Sequence, residues 1–152
     1  MKLITMEIAD GGSARETIGA VLGEDRPLDL AAASADIPPD MVLFLESGRA
    51  GLDRARKLTE EAENGDHASH VRPLSSIRLR PPVPRPRKFI HAGRNFHKHL
   101  DETGSAMPAQ IPLAPRFPST MIGPDEPIVY PEITTQLDSE AEIAMIIGER
   151  CK

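Results

Sequence analysis

The sequence has one cysteine, Cys151, no tryptophan, 3% aromatic residues and no basic excess. Each shortage excludes something. A single cysteine forbids an intrachain disulfide and suits a reducing cytoplasm, which is the expected location. Scarce aromatics leave no platform for stacking nucleobases. A net charge of −5 repels a phosphate backbone, so nucleic acid is not an expected partner. No apolar run approaches the roughly 20 residues that span a bilayer, so no membrane partner is expected either. The start, Met1-Lys2-Leu3-Ile4-Thr5-Met6-Glu7, carries an acid and no cleavage pattern, unlike a signal peptide. Internal repeats, glycine-rich phosphate loops, nucleophile elbows and Cys/His zinc spacings are absent from the sequence too.

What is present is ordinary globular material: 39% apolar and 27% charged residues exclude wholesale disorder. A length of 152 residues suffices to bury a core in one ordinary domain or two small ones. Lys2–Ile8 and Arg15–Leu22 read as strands joined across Asp10-Gly11-Gly12-Ser13, with a short third strand near Pro27–Leu30. Asp36–Asp40 offers a helix start and Ser47-Gly48 a stop. Leu52, Ala55, Leu58, Thr59 and Ala62 recur at helical spacing, which predicts an amphipathic helix over Gly51–Glu63.

Composition then shifts. Twelve of the fifteen prolines fall between Pro73 and Pro131, which disfavours long helices there. His67 and His70 read as loop histidines rather than a metal pair, and Leu74–Arg80 as a further strand. Pro81–Pro86, with Arg78, Arg80, Arg85, Arg87 and Lys88 around it, reads as a stiff connector. The organisation expected is α+β and β-rich: a small N-terminal α+β domain over 1–72, a Pro/Arg-rich connector over 73–87 and the start of a second domain over 88–152.

Two stretches carry chemistry. Asp138-Ser139-Glu140-Ala141-Glu142 runs into Ile143-Ala144-Met145-Ile146-Ile147-Gly148, which predicts a strand with three carboxylates on one face and apolar residues on the other. Carboxylates so placed repel one another. Either a divalent cation sits among them, ligated by oxygen, or they form an acidic strand end washed by solvent. The second stretch begins with the short strand Lys88–Gly93, followed by a short helix capped by Asn95 and closed by Gly104. On that helix His99 and Glu102 are three apart and face one another, the spacing of an imidazole oriented by a carboxylate or of a surface ion pair.

Taken together, the second half resembles the fumarylacetoacetate hydrolase superfamily. Gly93–Glu102 is similar to its G-x-N-[YF]-x-x-H-x-x-E segment. Arg116–Pro124 is similar to the segment that follows, and Asp138–Gly148 to its D-x-E-x-E strand. The resemblance implies a mixed-β catalytic domain, here only its N-terminal portion, and a metal-dependent enzyme of catabolism. Its substrates would be 2-oxo acids or 1,3-dicarbonyls, with acylpyruvate C–C hydrolysis, decarboxylation, hydration and isomerisation all open. It implies His99 and Glu102 as the catalytic dyad, Glu140 and Glu142 as ligands of Mg²⁺ or Mn²⁺, and Arg116, where many members have lysine, as a substrate contact. A homodimer is implied for a complete enzyme. The chain is expected to lack the third metal carboxylate and the rest of the sheet. The alternative is therefore a catalytically inactive fragment or interaction subunit that needs a C-terminal partner.

Overall fold

A computed structural model describes residues 1–148; Cys151 lies outside them. Two units are distinct: one runs from Met1 to Pro84 and takes in the chain again from Ile122, and the other is Arg85–Met121.

The first unit is built on a four-stranded antiparallel sheet of order β3-β2-β1-β4. Its strands are β1 (Lys2–Asp10), β2 (Ser13–Leu22), β3 (Arg26–Asp29) and β4 (Ile77–Leu79). Gly11 and Gly12 both take positive φ, 59° and 94°, the conformation a two-residue hairpin needs to match strand twist. Ile18, Ala20 and Leu22 alternate onto one face. Three helices supply their cover: α1 (Leu30–Ala33), α2 (Met41–Glu46) and α3 (Gly48–Glu63). From α3 come Ala55, Leu58 and Ala62, and from α2 the fully buried Phe44, whose burial contributes about 1.5–3 kcal/mol. Asp40 caps α2, its Oδ1 accepting from the Val42 and Leu43 amides.

Asp29 ties this unit together. Its side chain, 1% exposed, accepts from Thr17 Oγ1 at 3.0 Å, from the Ala32 amide at 3.1 Å and from Arg15 Nη2. It thus caps α1 while holding two residues of β2, and the hydrogen bond to Asp29 raises the Arg15 guanidinium above its usual value.

Both sheet edges are covered. Beside β3, Val71 bridges Leu28, and the Arg72 and Leu74 amides donate to Pro27 and Asp25 carbonyls at 2.9 and 2.8 Å. Beside β4, the buried Gly123 approaches so closely that an added Cβ would stand 2.7 Å from the Leu79 carbonyl oxygen. Glu126, its side chain 18% exposed, accepts from Arg78 Nη2 at 2.8 Å and Arg80 Nη1 at 3.0 Å. Hydrogen bonding from the Gly123 backbone, then the charges of Arg78 and Arg80, hold the Glu126 carboxyl below the usual range.

The second unit contains a two-stranded antiparallel ribbon, β5 (Ile90–Ala92) with β6 (Leu113–Pro115), and the six-residue helix α4 (His97–Glu102). Three expectations change. Phe96, not Asn95, flanks α4, and no side chain caps it. Leu74–Ser76 is a 3-10 turn, so β4 begins only at Ile77. Asp138–Gly148 forms no strand: no β-ladder among the described residues includes it. A strand exists through its ladder of hydrogen bonds, and without a partner β-propensity alone leaves the backbone irregular.

Replacing Asp29 by alanine removes a helix cap worth about 1 kcal/mol and a charged hydrogen bond worth about 1.5–3 kcal/mol. Urea denaturation of Asp29→Ala is expected to show a loss of about 2–4 kcal/mol, and Asp29→Asn a smaller one. Because the folded-state value of Glu126 is lowered, its contribution is complete above the unfolded value of about 4.5 and is lost as pH falls through the folded value. The melting difference between the protein and Glu126→Gln should therefore be constant near neutrality and shrink below about pH 4.5.

Candidate active site

Five residues are in question: His99, Glu102, Arg116, Glu140 and Glu142. The short helix α4 displays the first two. Leu100 is its one buried residue, 3% exposed, while His99 and Glu102 are exposed. The helix ends tightly, with the Thr103 amide donating to the His99 carbonyl at 3.1 Å and Thr103 Oγ1 reaching the same oxygen at 2.9 Å. Both side chains sit on one short turn, three residues apart. Among the described residues no hydrogen bond joins them in this structure.

Arg116 follows β6, its amide donating to the Phe89 carbonyl at 2.8 Å. Since His91 pairs with Ala114, Arg116 is its diagonal neighbour two residues along, on the same face. Its Nη2 lies 3.4 Å from His91 Nδ1. A guanidinium has only donors, so Nδ1 must be the acceptor there and a neutral ring carries its proton on Nε2. His91 was not singled out in the sequence, because only the ribbon register places it beside Arg116.

Glu140 and Glu142 are exposed and lie two apart in the irregular stretch, where Asp138 Oδ1 accepts from the Ser139 amide at 2.8 Å. The following apolar residues are open as well: Ile143 is 80%, Met145 85% and Ile147 69% exposed. Oxygen-only donors suit a hard dication such as Mg²⁺ or Mn²⁺. In kind the two glutamates fit; in number they leave an octahedral ion short of protein ligands. No group of three or more potential metal-ligating side chains occurs among the described residues.

His67, read from the sequence as a loop histidine, lies in the turn after α3 and has a carboxylate partner. Its Nε2 lies 3.1 Å from Glu61 Oε2 across the end of α3, and that hydrogen bond is the first cause lowering the Glu61 carboxyl. Six residues separate the two in sequence, and the turn after α3 that folds His67 back could not be read in advance.

A family model described as fumarylacetoacetate (FAA) hydrolase C-terminal matches residues 88–152, the segment holding all five candidate residues. An oxaloacetate tautomerase from Xenopus laevis, fahd2, mitochondrial, is 32% identical over 100% of this chain and 46% of its own. The chain belongs to the fumarylacetoacetate hydrolase superfamily. Another superfamily relative, the oxaloacetate tautomerase YisK from Bacillus subtilis, is 31% identical over 98% of the chain and 52% of the relative. The chain spans about half the length of these curated relatives. A crystal structure of a candidate HpcE protein from Mycobacterium smegmatis matches with a TM-score of 0.58 over 85% of this chain and 41% of that one. At 23% identity it shows the fold alone: α+β with antiparallel sheets. Among the described residues no helix is long and apolar enough to cross a membrane.

Open apolar side chains over Ile143–Ile147 predict self-association. Light scattering of the 152-residue chain on slow warming should show earlier onset than for the Ile143→Glu, Ile147→Glu double variant. Equal onset would locate the association elsewhere.

Proposed function

We propose that this chain contributes to an enzyme acting on small 2-oxo acids, with keto–enol tautomerisation of a 2-oxo dicarboxylic acid as the reaction its named relatives favour. One observation carries the reading: the segment matched by the family model contains His99 and Glu102 together on one exposed helical turn and a Glu140/Glu142 pair of hard oxygen donors.

In tautomerisation a C–H bond adjacent to the carbonyl breaks, a C=C bond forms and the carbonyl oxygen gains a proton, so nothing is oxidised or reduced. A base and an acid suffice. His99 takes and returns the proton at a ring nitrogen, and Glu102, three residues along the same helix, orients the ring once the two side chains meet. Arg116 holds a substrate carboxylate through its planar fork of donors, with a geometry that a lysine would not reproduce. Glu140 and Glu142 are the residues that would hold Mg²⁺ or Mn²⁺, and the bound ion would supply positive charge for the developing oxyanion. The same groups serve hydrolysis, hydration or decarboxylation equally well, and the relatives' names set tautomerisation ahead.

A second reading has its own support. Exposure of Ile143, Met145 and Ile147, with no three-ligand group among the described residues, favours a chain that acts only with a further β-rich partner segment and is silent by itself. For a complete enzyme a homodimer and a reducing compartment belong to the proposal.

Mn²⁺ titration followed by the loss of free-ion electron resonance tests the metal assignment: Glu140→Gln and Glu142→Gln should each weaken binding, and undiminished binding in either removes that residue from the site. In the full-length enzyme His99→Ala should lower kcat for oxaloacetate enol–keto exchange by roughly 10²–10⁴, with Mn²⁺ affinity nearly unchanged. Turnover surviving intact would reduce the dyad to a surface contact. The 152-residue chain by itself should show no turnover at millimolar Mg²⁺, since His99, Glu102, Glu140 and Glu142 are exposed to water and catalysis by such groups depends on a preorganised, water-excluding setting.

A further inference from the structure

We infer that Arg78, Glu126 and Arg80 form a latch that seats the Gly123–Glu126 turn on the outer edge of β4, making Glu126 a positioning residue for the acidic stretch that follows. Strand β4 ends the sheet order and would otherwise present an unpaired edge. Arg78 and Arg80 are two apart, so their side chains leave the strand region on one face, and both reach the same oxygen, Glu126 Oε1, at 2.8 and 3.0 Å.

The turn has the chemistry of a fitted piece. Gly123 has no Cβ, and only that allows its backbone to lie against Leu79 and Arg80, where an added carbon would meet the Leu79 carbonyl oxygen at 2.7 Å and the Arg80 Cα at 3.4 Å. Asp125 adopts φ 63°, a conformation asparagine and aspartate tolerate better than most residues. It bends the chain so that the Glu126 amide donates to the Gly123 carbonyl at 3.3 Å, and the carboxylate then points back at the arginines. Carboxylates of the sheet lie near both arginines: Arg78 Nη1 stands 3.8 Å from Glu7 on the neighbouring strand β1, and Arg80 Nε 4.0 Å from Glu16 on β2. The Arg80 amide is fixed to the Thr5 carbonyl at 2.9 Å.

Such a latch sets the point from which the chain leaves for Asp138–Glu142. Its bearing on Glu140 and Glu142 as metal ligands rests on the function proposed above; the latch itself does not. Two spin labels read it directly, at Ser75→Cys before β4 and Ile128→Cys after the turn, in a Cys151→Ser background of the whole 152-residue chain. The wild-type latch should give a single narrow distance distribution. Glu126→Gln should at least double its width, and Arg78→Gln with Arg80→Gln should do the same, with no further broadening when all three are combined. Hydrogen exchange across the β1–β2 hairpin, unchanged in each variant, shows that the sheet persists. A width unaltered by Glu126→Gln overturns the latch, as does additive broadening from its two sides. Mn²⁺ titration of the same wild-type sample reads the Glu140/Glu142 assignment separately, so loss of one reading is not mistaken for loss of the other.

Discussion

The buried Asp29 carboxylate is the constraint on which the N-terminal sheet depends. A charge taken out of water must recover its hydration from the protein, and here three donors do so: a β2 guanidinium, a β2 hydroxyl and the Ala32 amide in α1. Satisfying that one group fixes the pairing of β2 with β3, the direction of α1 and hence where α2 and α3 meet the sheet. A hydrophobic residue in its place would be easier to bury but would specify none of these.

Much of this architecture is legible in the residues because it is local. Strand alternation in Lys2–Ile8 and Arg15–Leu22, the double glycine between them and the three-and-four spacing of α3 are each encoded within a dozen residues, and the elements appear within a few positions of the reading. What eluded the sequence is contact at long range. The proline–arginine stretch reads as a connector, yet Pro81 is buried, Val83 packs against the core and the Pro82 carbonyl accepts from Thr5 Oγ1 at 2.7 Å. Nothing in those residues names Thr5 as their partner.

The candidate site divides in the same way. The placement of His99 and Glu102 on one turn is a matter of helical spacing, and α4 carries both, with no hydrogen bond joining them among the described residues. Arg116 beside His91 depends on ribbon register, invisible until Ile90 is seen opposite Pro115. Asp138–Gly148 has every compositional mark of a strand and is none, since a strand is a relation between two segments and composition describes only one. Its acidic and apolar sides remain written in the sequence without a ladder to separate them.

The turn that closes β4 gives synthesis a clock. Arg80 and Glu126 are 46 residues apart, so a ribosome adding roughly 5–20 residues per second needs about 2–9 s between them. For that interval the residues of the sheet, its helices and its Asp29 network have all been made, while those that cover the β4 edge beside the two arginines have not. During those seconds the nascent chain is most exposed to strand-pairing with a neighbour, and positive charge at the open edge, a common deterrent to such pairing, is in place before the cover arrives.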